Sequence, residues 1–462
     1  PAGYRVVSTV PAVVVAAPTS GSGKTTVATG LIGALRAAGH RVAPFKVGPD
    51  FIDPGYHALA AGRPGRNLDP VLVGEDLIGP LFRHGTRDAD MAVVEGVMGL
   101  FDGRIDERFT VPARGSTAQV AQRLGAPVVL VVDGRGQSQT LAAVLHGFTT
   151  FHQGVRIGGV ILNRVGSPRH EQVLRQACEA VGVPVLGAVP RRDELSVPSR
   201  HLGLVTATEH GEQARAAVAA MADLVARHVD VAAVRAVAAS AAPGRAWSPE
   251  QEVGGGGVGG RPVVALASGP AFTFGYAEHA ELLGAAGADV VTFDPMSDVL
   301  PERTAALVLP GGFPEQYPDQ LSGNEALHGQ IRHLAARGAP VHAECGGLTY
   351  LMSDLEGHPM CGVIAGSARF TPRLTLGYRD AVAAADSPLH CAGQRVTGHE
   401  FHRTTVDFAE TVQSAWLMRE SGAAGEGAIR GGVHASYLHT HPAAHPGAVR
   451  RFVEHAFTKL GR

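Results

Sequence analysis

A glycine-rich loop near the N-terminus constrains the fold of this chain more than any other feature of its sequence. The loop APTSGSGKTT, residues 17–26, follows the apolar run at residues 13–15 and precedes a helix-permissive stretch. This order is the context of a phosphate-binding loop, in which backbone N–H groups and a helix N-terminus face phosphate oxygens. Lys24 can reach the terminal phosphates, and the Thr25 hydroxyl can ligate magnesium. The strict motif has a glycine where this chain has Pro18, yet the remaining pattern favours a P-loop over a plain glycine turn.

Two carboxylates are candidates for further magnesium ligands. Asp50 lies in the segment KVGPDFIDP, residues 46–54, which follows a predicted strand, and Glu95 ends the apolar run MAVVE. Open α/β sheets bind ligands beyond the carboxyl ends of their strands, and magnesium prefers oxygen ligands. Asp50 could instead be a turn residue beside Pro49, and Glu95 an ordinary loop carboxylate. The neighbouring P-loop favours the metal interpretation for both.

The pattern of apolar runs predicts two α/β domains. With 462 residues the chain is longer than the roughly 100–200 residues of an ordinary domain. Short β-branched runs alternate with Ala-rich stretches up to about residue 210, and a second such series starts at residue 263. This alternation is typical of parallel sheets with helices on both faces. We therefore predict a first domain at 1–228, an Ala/Gly-rich linker at 229–260 and a second domain at 261–462, both doubly wound.

Charge and hydropathy exclude several classes of partner. The formal net charge is −2 and the pI is near 7.0, so we expect no nucleic-acid partner. Apolar runs fall far short of the roughly 20 residues that a membrane helix needs, and no signal segment is apparent, so we expect no membrane partner and a cytoplasmic protein. The four cysteines are scattered without a CxxC pair, which argues against disulfides and a zinc ribbon.

Cys345 has the surroundings of a catalytic nucleophile. It lies in PVHAECGGLTYL, residues 340–351, between a predicted strand and a predicted helix. A nucleophile on such a sharp turn needs small neighbours two residues before and after it, and Ala343 and Gly347 meet that need. We expect the helix N-terminus to lower the pKa of this thiol. The other cysteines are interpreted as buried and inert: Cys178, Cys361 and Cys391.

An acyl-enzyme mechanism also needs oxyanion donors and a base. The segment PGGFPE, residues 310–315, follows a predicted strand, so the N–H groups of Gly312 and Gly346 could form an oxyanion hole. The base must come from the histidine-rich stretch 434–445. These histidines could instead bind a metal, although no cysteine or carboxylate cluster accompanies them. Periodicity does not distinguish the base among them.

Taken together, the motifs resemble those of the cobyrinic/hydrogenobyrinic acid a,c-diamide synthases. The likeness spans nearly the whole chain and joins a P-loop domain similar to dethiobiotin synthetase to a flavodoxin-like class I glutamine amidotransferase domain. The matching blocks, in order, are APTSGSGKTT, KVGPDFIDPGYH, VEGVMGLFDG, SRHLGL at 199–204, the Cys345 segment, GHEFH at 398–402 and ASYLHTH at 435–441.

The resemblance implies ATP-dependent, glutamine-hydrolysing amidation of a corrinoid polycarboxylate. It implies that Cys345 attacks glutamine and that His439 is its base. Class I triads usually have a glutamate two residues after that histidine, whereas this chain has His441, as in a triad-less branch; what orients His439 is left open. The further implied roles are ATP binding by Gly21, Ser22, Gly23, Lys24, Thr25 and Thr26, magnesium binding by Thr25, Asp50 and Glu95, and a substrate and phosphoryl site at Asp53 and Tyr56.

Two other interpretations remain open at this point. A cobyric acid synthase has both domain types and amidates other side chains of the ring, but the blocks at 46–57 and 199–204 favour the diamide synthase. A P-loop switch ATPase with a degenerate amidotransferase domain would bind nucleotide without hydrolysing glutamine. The sequence does not separate metal-free from cobalt-containing corrinoid, and a homodimer is expected only as the commonest state of soluble enzymes.

Overall fold

The computed structural model describes residues 9–106, 109–191, 211–255, 260–419 and 425–460. It divides the chain into two compact units, Pro1–Trp247 and Ser248–Arg462, and each is described by itself. The SRHLGL block at 199–204 lies outside the described residues.

The first unit is built on a seven-stranded sheet whose described neighbours all pair in parallel. Its central strands are buried apolar runs because helices cover both faces, as the doubly wound prediction requires. The spatial order is β3-β2-β4-β1-β5-β6-β7. The strands are β1 Ala12–Ala16, β2 Val42–Val47, β3 Arg66–Leu68, β4 Met91–Glu95, β5 Val128–Asp133, β6 Ile157–Val165 and β7 Val185–Pro190. The helices are α1 Lys24–Ala37, α2 Asp53–Ala61, α3 Ile78–Gly85, α4 Thr117–Leu124, α5 Leu141–Thr150, α6 Pro168–Glu179, α7 Gly211–His228 and α8 Val231–Val237.

The boundary between the two units, after Trp247, lies inside the stretch 229–260 that the sequence predicted as a linker. Part of the stretch expected as a linker packs on the first unit: the backbones of Ala239 and Ala12 exchange hydrogen bonds, so this segment continues along β1. The Arg83 guanidinium donates to the Ala242 and Gly244 carbonyls. Trp247 is buried, with its ring 4.5 Å from that of His84. Residues 229–247 therefore belong to the first unit.

The second unit combines a mainly parallel sheet with an antiparallel one. The parallel sheet has the order β17-β18-β11-β10-β8-β9, with β17 as its antiparallel edge strand. The other sheet has the order β13-β12-β14-β15-β19, with β16 beside β14. The strands are β8 Val263–Ala267, β9 Asp289–Phe293, β10 Thr304–Leu309, β11 Val341–Glu344, β12 Met352–Leu355, β13 His358–Pro359, β14 Ile364–Ala383, β15 Arg395–Phe408, β16 Trp416–Met418, β17 Ala428–Arg430, β18 Val433–Ser436 and β19 His439–Thr440. The helices are α9 Pro249–Glu252, α10 Ala277–Ala285, α11 Pro318–Gly323, α12 Glu325–Ala336, α13 Gly346–Leu351 and α14 Pro446–Leu460.

Both units confirm the α/β prediction, whereas the antiparallel sheet was not anticipated. In the part of the chain that the structure describes, no helix has the length and apolar character needed to cross a bilayer.

Candidate functional sites

The glycine loop connects β1 to α1 and is tightly packed around Gly23. Gly23 has φ 91°, a conformation that a residue with a Cβ rarely adopts, and it precedes the first turn of α1. A Cβ at this position would lie 2.2 Å from the Asn163 amide nitrogen, which donates to the Ser22 carbonyl. Both the backbone angle and the contact therefore require glycine here, as in a loop whose backbone faces phosphates.

Lys24 points back across the loop. Its Nζ donates to the Met98 carbonyl at 2.7 Å and to the Thr19 carbonyl at 3.4 Å. Burial, followed by the nearby Lys46 ammonium, lowers the pKa of Lys24. Two cationic side chains thus converge where an anionic ligand would compensate their repulsion.

A buried ionic cluster lies beside the loop, at the carboxyl ends of β2 and β4. Lys46 and Glu95 face each other in the strand register, because both strands end at the same edge of the sheet. The Lys46 Nζ is 2.6 Å from Asp53 Oδ2 and 3.1 Å from Glu95 Oε1. The Thr25 hydroxyl donates to Glu95 Oε1 at 2.6 Å and to Asp53 Oδ2 at 3.2 Å. These contacts bring the P-loop threonine, two carboxylates and a lysine together.

The pKa values in this cluster follow from burial and pairing. Burial alone would lower the pKa of Lys46, but the Asp53 and Glu95 charges raise it above its ordinary value. Burial and the Asp50 charge raise the pKa of Asp53 to about 7. Glu95 is also buried, yet the Lys46 charge and the His57 hydrogen bond lower its pKa to about 2. The cluster is therefore held together by charges that have been removed from water.

The structure gives the surroundings of two further residues that the sequence predicted for this site, Asp50 and Tyr56. Asp50 Oδ1 accepts from the backbone N–H groups of Ile52 and Asp53, so it shapes the start of α2, and its other oxygen is 3.7 Å from the Lys46 Nζ. Asp53, rather than Asp50, contacts Thr25. Tyr56 is fully buried within α2.

Two residues of this site were missed at the sequence level. Lys46 ends an otherwise apolar strand, which is an unusual place for a lysine and is the signal that could have identified it. His57 lies one turn into α2, with Nε2 2.7 Å from Glu95 Oε2, and only the fold reveals that contact.

The oxygen donors of this cluster fit a magnesium ion. Thr25, Asp53 and Glu95 offer hard oxygen ligands, and Asp53 Oδ1 is buried without a hydrogen-bond partner. Within the described residues, no group of three or more His, Cys, Asp or Glu side chains is arranged to hold a metal. Magnesium does not need such a cage, since it is commonly held by one or two carboxylates, water and substrate phosphates.

Cys345 occupies a strained turn between β11 and α13. Its φ of 47° and ψ of −104° are rarely adopted by non-glycine residues, at a cost on the order of 1–3 kcal/mol. A Cβ on Gly347 would lie 2.2 Å from the Leu309 carbonyl oxygen. The Cys345 N–H donates to the Ser436 carbonyl, which ties the turn to β18. The geometry is that of the predicted nucleophile elbow.

The predicted oxyanion donors lie next to each other. A Cβ on Gly346 would be 3.1 Å from the Gly312 backbone nitrogen, so the two backbones are in close approach. A Cβ on Gly312 would in turn meet the Ala271 carbonyl oxygen at 2.1 Å. This packing fixes both backbones within reach of the nucleophile's turn.

His439 lies on the other side of the same glycine segment. A Cβ on Gly311 would be 2.3 Å from the His439 Cε1, so the imidazole rests on this backbone. His439 Nδ1 is 3.7 Å from Oε2 of Glu344, the residue immediately before the nucleophile. Glu344 Oε1 accepts from the Thr440 N–H and hydroxyl, both at 3.0 Å, and is 3.3 Å from His342 Nε2.

These contacts leave Glu344 ionised. Burial alone would raise the pKa of Glu344, but the neighbouring imidazoles of His342 and His439 hold it well below its ordinary value. His441, which occupies the position of the usual triad glutamate, has another role: its Nδ1 accepts from the Ala443 N–H and its ring lies 4.1 Å from that of Tyr276.

The expected lowering of the Cys345 pKa is wrong for this conformation. Burial raises the pKa of the thiol, the Glu315 charge adds to that effect, and the Gly346 N–H opposes it only weakly. The short helix α13 therefore does not produce a resting thiolate, and the thiol must lose its proton to a base during attack. Cys178 and Cys361 are buried as expected, whereas Cys391 is exposed.

The two sites define a nucleotide-binding domain joined to a glutamine amidotransferase domain. Family models agree: residues 13–205 match the CobQ/CobB/MinD/ParA nucleotide binding domain, and residues 263–446 match the CobB/CobQ-like glutamine amidotransferase domain.

Full-length relatives are similar over almost the entire chain. A hydrogenobyrinate a,c-diamide synthase of Mycobacterium tuberculosis is 67% identical over 97% of this chain and 98% of its own length. One from Streptomyces coelicolor is 55% identical, covering 98% of each chain. A cobyrinate a,c-diamide synthase of Syntrophotalea carbinolica is 41% identical over 96% of this chain and 98% of its own length. The chain belongs to the family of hydrogenobyrinate and cobyrinate a,c-diamide synthases.

Proposed function

We propose that this chain converts the a and c acetate carboxylates of hydrogenobyrinic acid to amides, using ATP and glutamine. The observation that carries the proposal is that one member of this family contains both a glycine-rich phosphate loop beside a cluster of carboxylates and a cysteine on a sharp turn. Relatives named for the metal-free substrate are 52–67% identical, whereas those named for cobyrinate are 37–41% identical. This difference favours the metal-free corrinoid.

The first site activates a carboxylate. A carboxylate carbon is a poor electrophile until one of its oxygens becomes part of a good leaving group, and transfer of the ATP γ-phosphoryl group to that oxygen provides one. Lys24 and Lys46 lie where they can hold the transferring phosphoryl group and the incoming carboxylate. Magnesium would be held by Thr25, Asp53 and Glu95, and it would neutralise phosphate charge. Ammonia then attacks the acyl phosphate carbon, and phosphate leaves.

The second site releases ammonia from glutamine. The Cys345 sulfur attacks the side-chain amide carbon while His439 takes the thiol proton, and Gly312 and Gly346 N–H groups stabilise the oxyanion. His439 passes that proton to the leaving nitrogen, the C–N bond breaks, and ammonia departs. Water, deprotonated by His439, hydrolyses the thioester to glutamate and restores the thiol.

Glu344 supplies what the missing triad glutamate would otherwise provide. Its ionised carboxylate lies 3.7 Å from Nδ1 of His439, so it favours the tautomer that carries the proton on Nδ1, in which the Nε2 lone pair can accept the thiol proton. The Thr440 donors fix the carboxylate in this position. We infer that Glu344 is a positioning residue for the base.

The test measures glutamate release and ADP formation with glutamine, Mg-ATP and hydrogenobyrinic acid, for wild type and Cys345→Ala. We expect both products to depend on the corrinoid, and the variant to lose glutamine use while ammonia restores diamide formation. ATP turnover without corrinoid, with no glutamate released by the wild type, would instead indicate a switch ATPase.

A further inference from the structure

The segment that follows β4 carries unusually exposed apolar side chains. Met98 is 42% exposed, Ile105 is 98% exposed and Phe109 is 90% exposed. Large apolar side chains this exposed leave apolar area in contact with water, so a group of them marks a contact surface. Residues 107–108 lie outside the described residues.

Two aromatic rings, one in α5 and one at its C-terminal end, extend this surface. The Phe101 ring lies 5.9 Å from that of Phe148 in a stacked arrangement and 4.9 Å from that of Phe151 in an edge-to-face one. Phe151 is itself 55% exposed. We name the set Met98, Phe101, Ile105 and Phe151 the apolar shelf.

The shelf is physically attached to the phosphate site. The Met98 carbonyl accepts the hydrogen bond from Lys24 Nζ, and the Leu100 N–H donates to the Ala17 carbonyl in the glycine loop. Met98 has φ 46°, a left-handed conformation that costs a methionine roughly 1–2 kcal/mol. That angle directs its carbonyl to the P-loop lysine while its side chain remains partly exposed. The shelf therefore begins where phosphoryl transfer would take place.

We propose that the apolar shelf is the docking surface for the face of the corrin macrocycle. This inference rests on the proposed function and adds the location of the substrate. A corrinoid acid has a broad apolar ring face with carboxylates at its edge. A carboxylate that reaches the phosphoryl group beside Lys24 brings the ring face over the adjoining surface, where the exposed apolar side chains lie.

The chemistry of the reaction explains why this surface is apolar. Two carboxylates at different positions of the ring are amidated at one phosphoryl site, so the ring must bind in two orientations. A pocket of directional hydrogen bonds would favour one orientation over the other. Apolar contact is non-directional and scales with buried area, so it can hold both. Because the shelf lies at the surface, the ring can leave and bind again between the two rounds.

The experiment compares Ile105→Ser, Phe151→Ser and the double variant with wild type. Val299→Ser, at a position of the second unit that is about as exposed as Phe151 (51% against 55%), is the control. Equilibrium dialysis with hydrogenobyrinic acid measures the dissociation constant. We expect each shelf variant to bind roughly 5–10-fold more weakly and the double variant more weakly still, as loss of buried apolar area implies. Nucleotide binding and ADP formation at saturating corrinoid should stay at wild-type values, and the control should bind as wild type.

Three outcomes would contradict the proposal in different ways. Shelf variants that bind the corrinoid as wild type does overturn the shelf alone, provided that the wild type amidates it. If those variants also sediment as monomers where the wild type is a dimer, the shelf is an interface between two copies of this chain. A wild type that neither binds nor amidates hydrogenobyrinic acid overturns the proposed function, and the shelf with it.

Discussion

In the first unit, Lys46, Asp53 and Glu95 hold one another through charge, whereas in the second unit Cys345 is held by its backbone. In the charged cluster the Lys46 ammonium pairs with both carboxylates. The thiol has no such ion pair; its position depends on a strained turn and on glycines that contact carbonyl oxygens of neighbouring segments. Opposite charges hold the first site together, whereas closely packed glycines hold the second.

The difference reflects what each site binds. Phosphates and carboxylates arrive with charge, and a cluster of ionic groups can exchange internal partners for the ligand at little net cost. An amide is neutral, so the second site needs a well-aligned nucleophile and backbone donors more than it needs charge. The substitutions below test how charge and backbone packing contribute to the two units.

The largest effect is expected from Lys46→Met. It leaves Asp53 and Glu95 buried without their cation, which typically costs about 3–5 kcal/mol of unfolding free energy. Urea unfolding of the first unit, followed by Trp247 fluorescence in a Trp416→Phe background, measures it. Arg41→Met, which breaks the exposed pair with Asp90, is the control and should change little. Equal changes in the unfolding free energy for the two substitutions would show that the buried cluster stabilises the fold no more than an exposed ion pair does.

Glu344→Gln should slow glutamine hydrolysis by roughly a hundredfold through kcat, with KM for glutamine nearly unchanged, because a neutral amide no longer fixes the His439 tautomer. Glu344→Asp, which keeps the charge, should retain part of the wild-type rate, and the control His441→Gln should retain most of it. Ammonia-dependent synthesis should be normal in all three variants. A change confined to KM would mean that Glu344 contacts glutamine rather than orienting the base.

Gly23→Ala should weaken ATP binding more than Gly21→Ala. Both glycines have positive φ, so each substitution costs on the order of 1–2 kcal/mol in backbone strain. A methyl group at Gly23 also meets the Asn163 amide, whereas no atom lies within 4 Å of one at Gly21. Calorimetric titration with ATP measures the difference, and a double-mutant cycle with Asn163→Ala isolates the contact. Identical affinities would assign the whole effect to φ.

The smallest effect concerns Glu426, a buried acid of the second unit. Burial raises its pKa to about 7, although the Ser436 hydroxyl and the Tyr437 N–H act in the opposite direction. The folded state therefore binds more protons than the unfolded state between its ordinary pKa and about 7, and stability is lost as pH rises through this window.

Glu426→Gln should remove that loss, so the unfolding free energy of the variant should rise by roughly 1–2 kcal/mol relative to that of the wild type between pH 5.5 and 7.5. Thermal unfolding of both proteins across this range, followed by Trp416 fluorescence, is the measurement. Parallel stability curves would place the pKa of Glu426 in its ordinary range.

Sequence reasoning located features that are contiguous along the chain. The P-loop and the Cys345 turn are each contained within about a dozen residues, and the need for glycine in each motif can be inferred from the motif itself. The partners of these groups were not predictable in the same way. Lys46 meets Glu95 only through strand register, and Glu344 meets Thr440 across 96 residues of chain. The backbone N–H groups of Ile52 and Asp53 donate to Asp50 Oδ1, a contact that the sequence prediction did not include.

The segment from Ala239 to Trp247 determines where this protein can be divided. A fragment ending at residue 228 would lack the backbone hydrogen bonds between Ala239 and Ala12, leave Arg83 without its carbonyl acceptors in residues 242–244 and expose the surface that Trp247 covers. A fragment ending at residue 247 keeps all three. Expression of the nucleotide-binding half alone should therefore give soluble, protease-resistant protein from the longer gene segment and degraded protein from the shorter one.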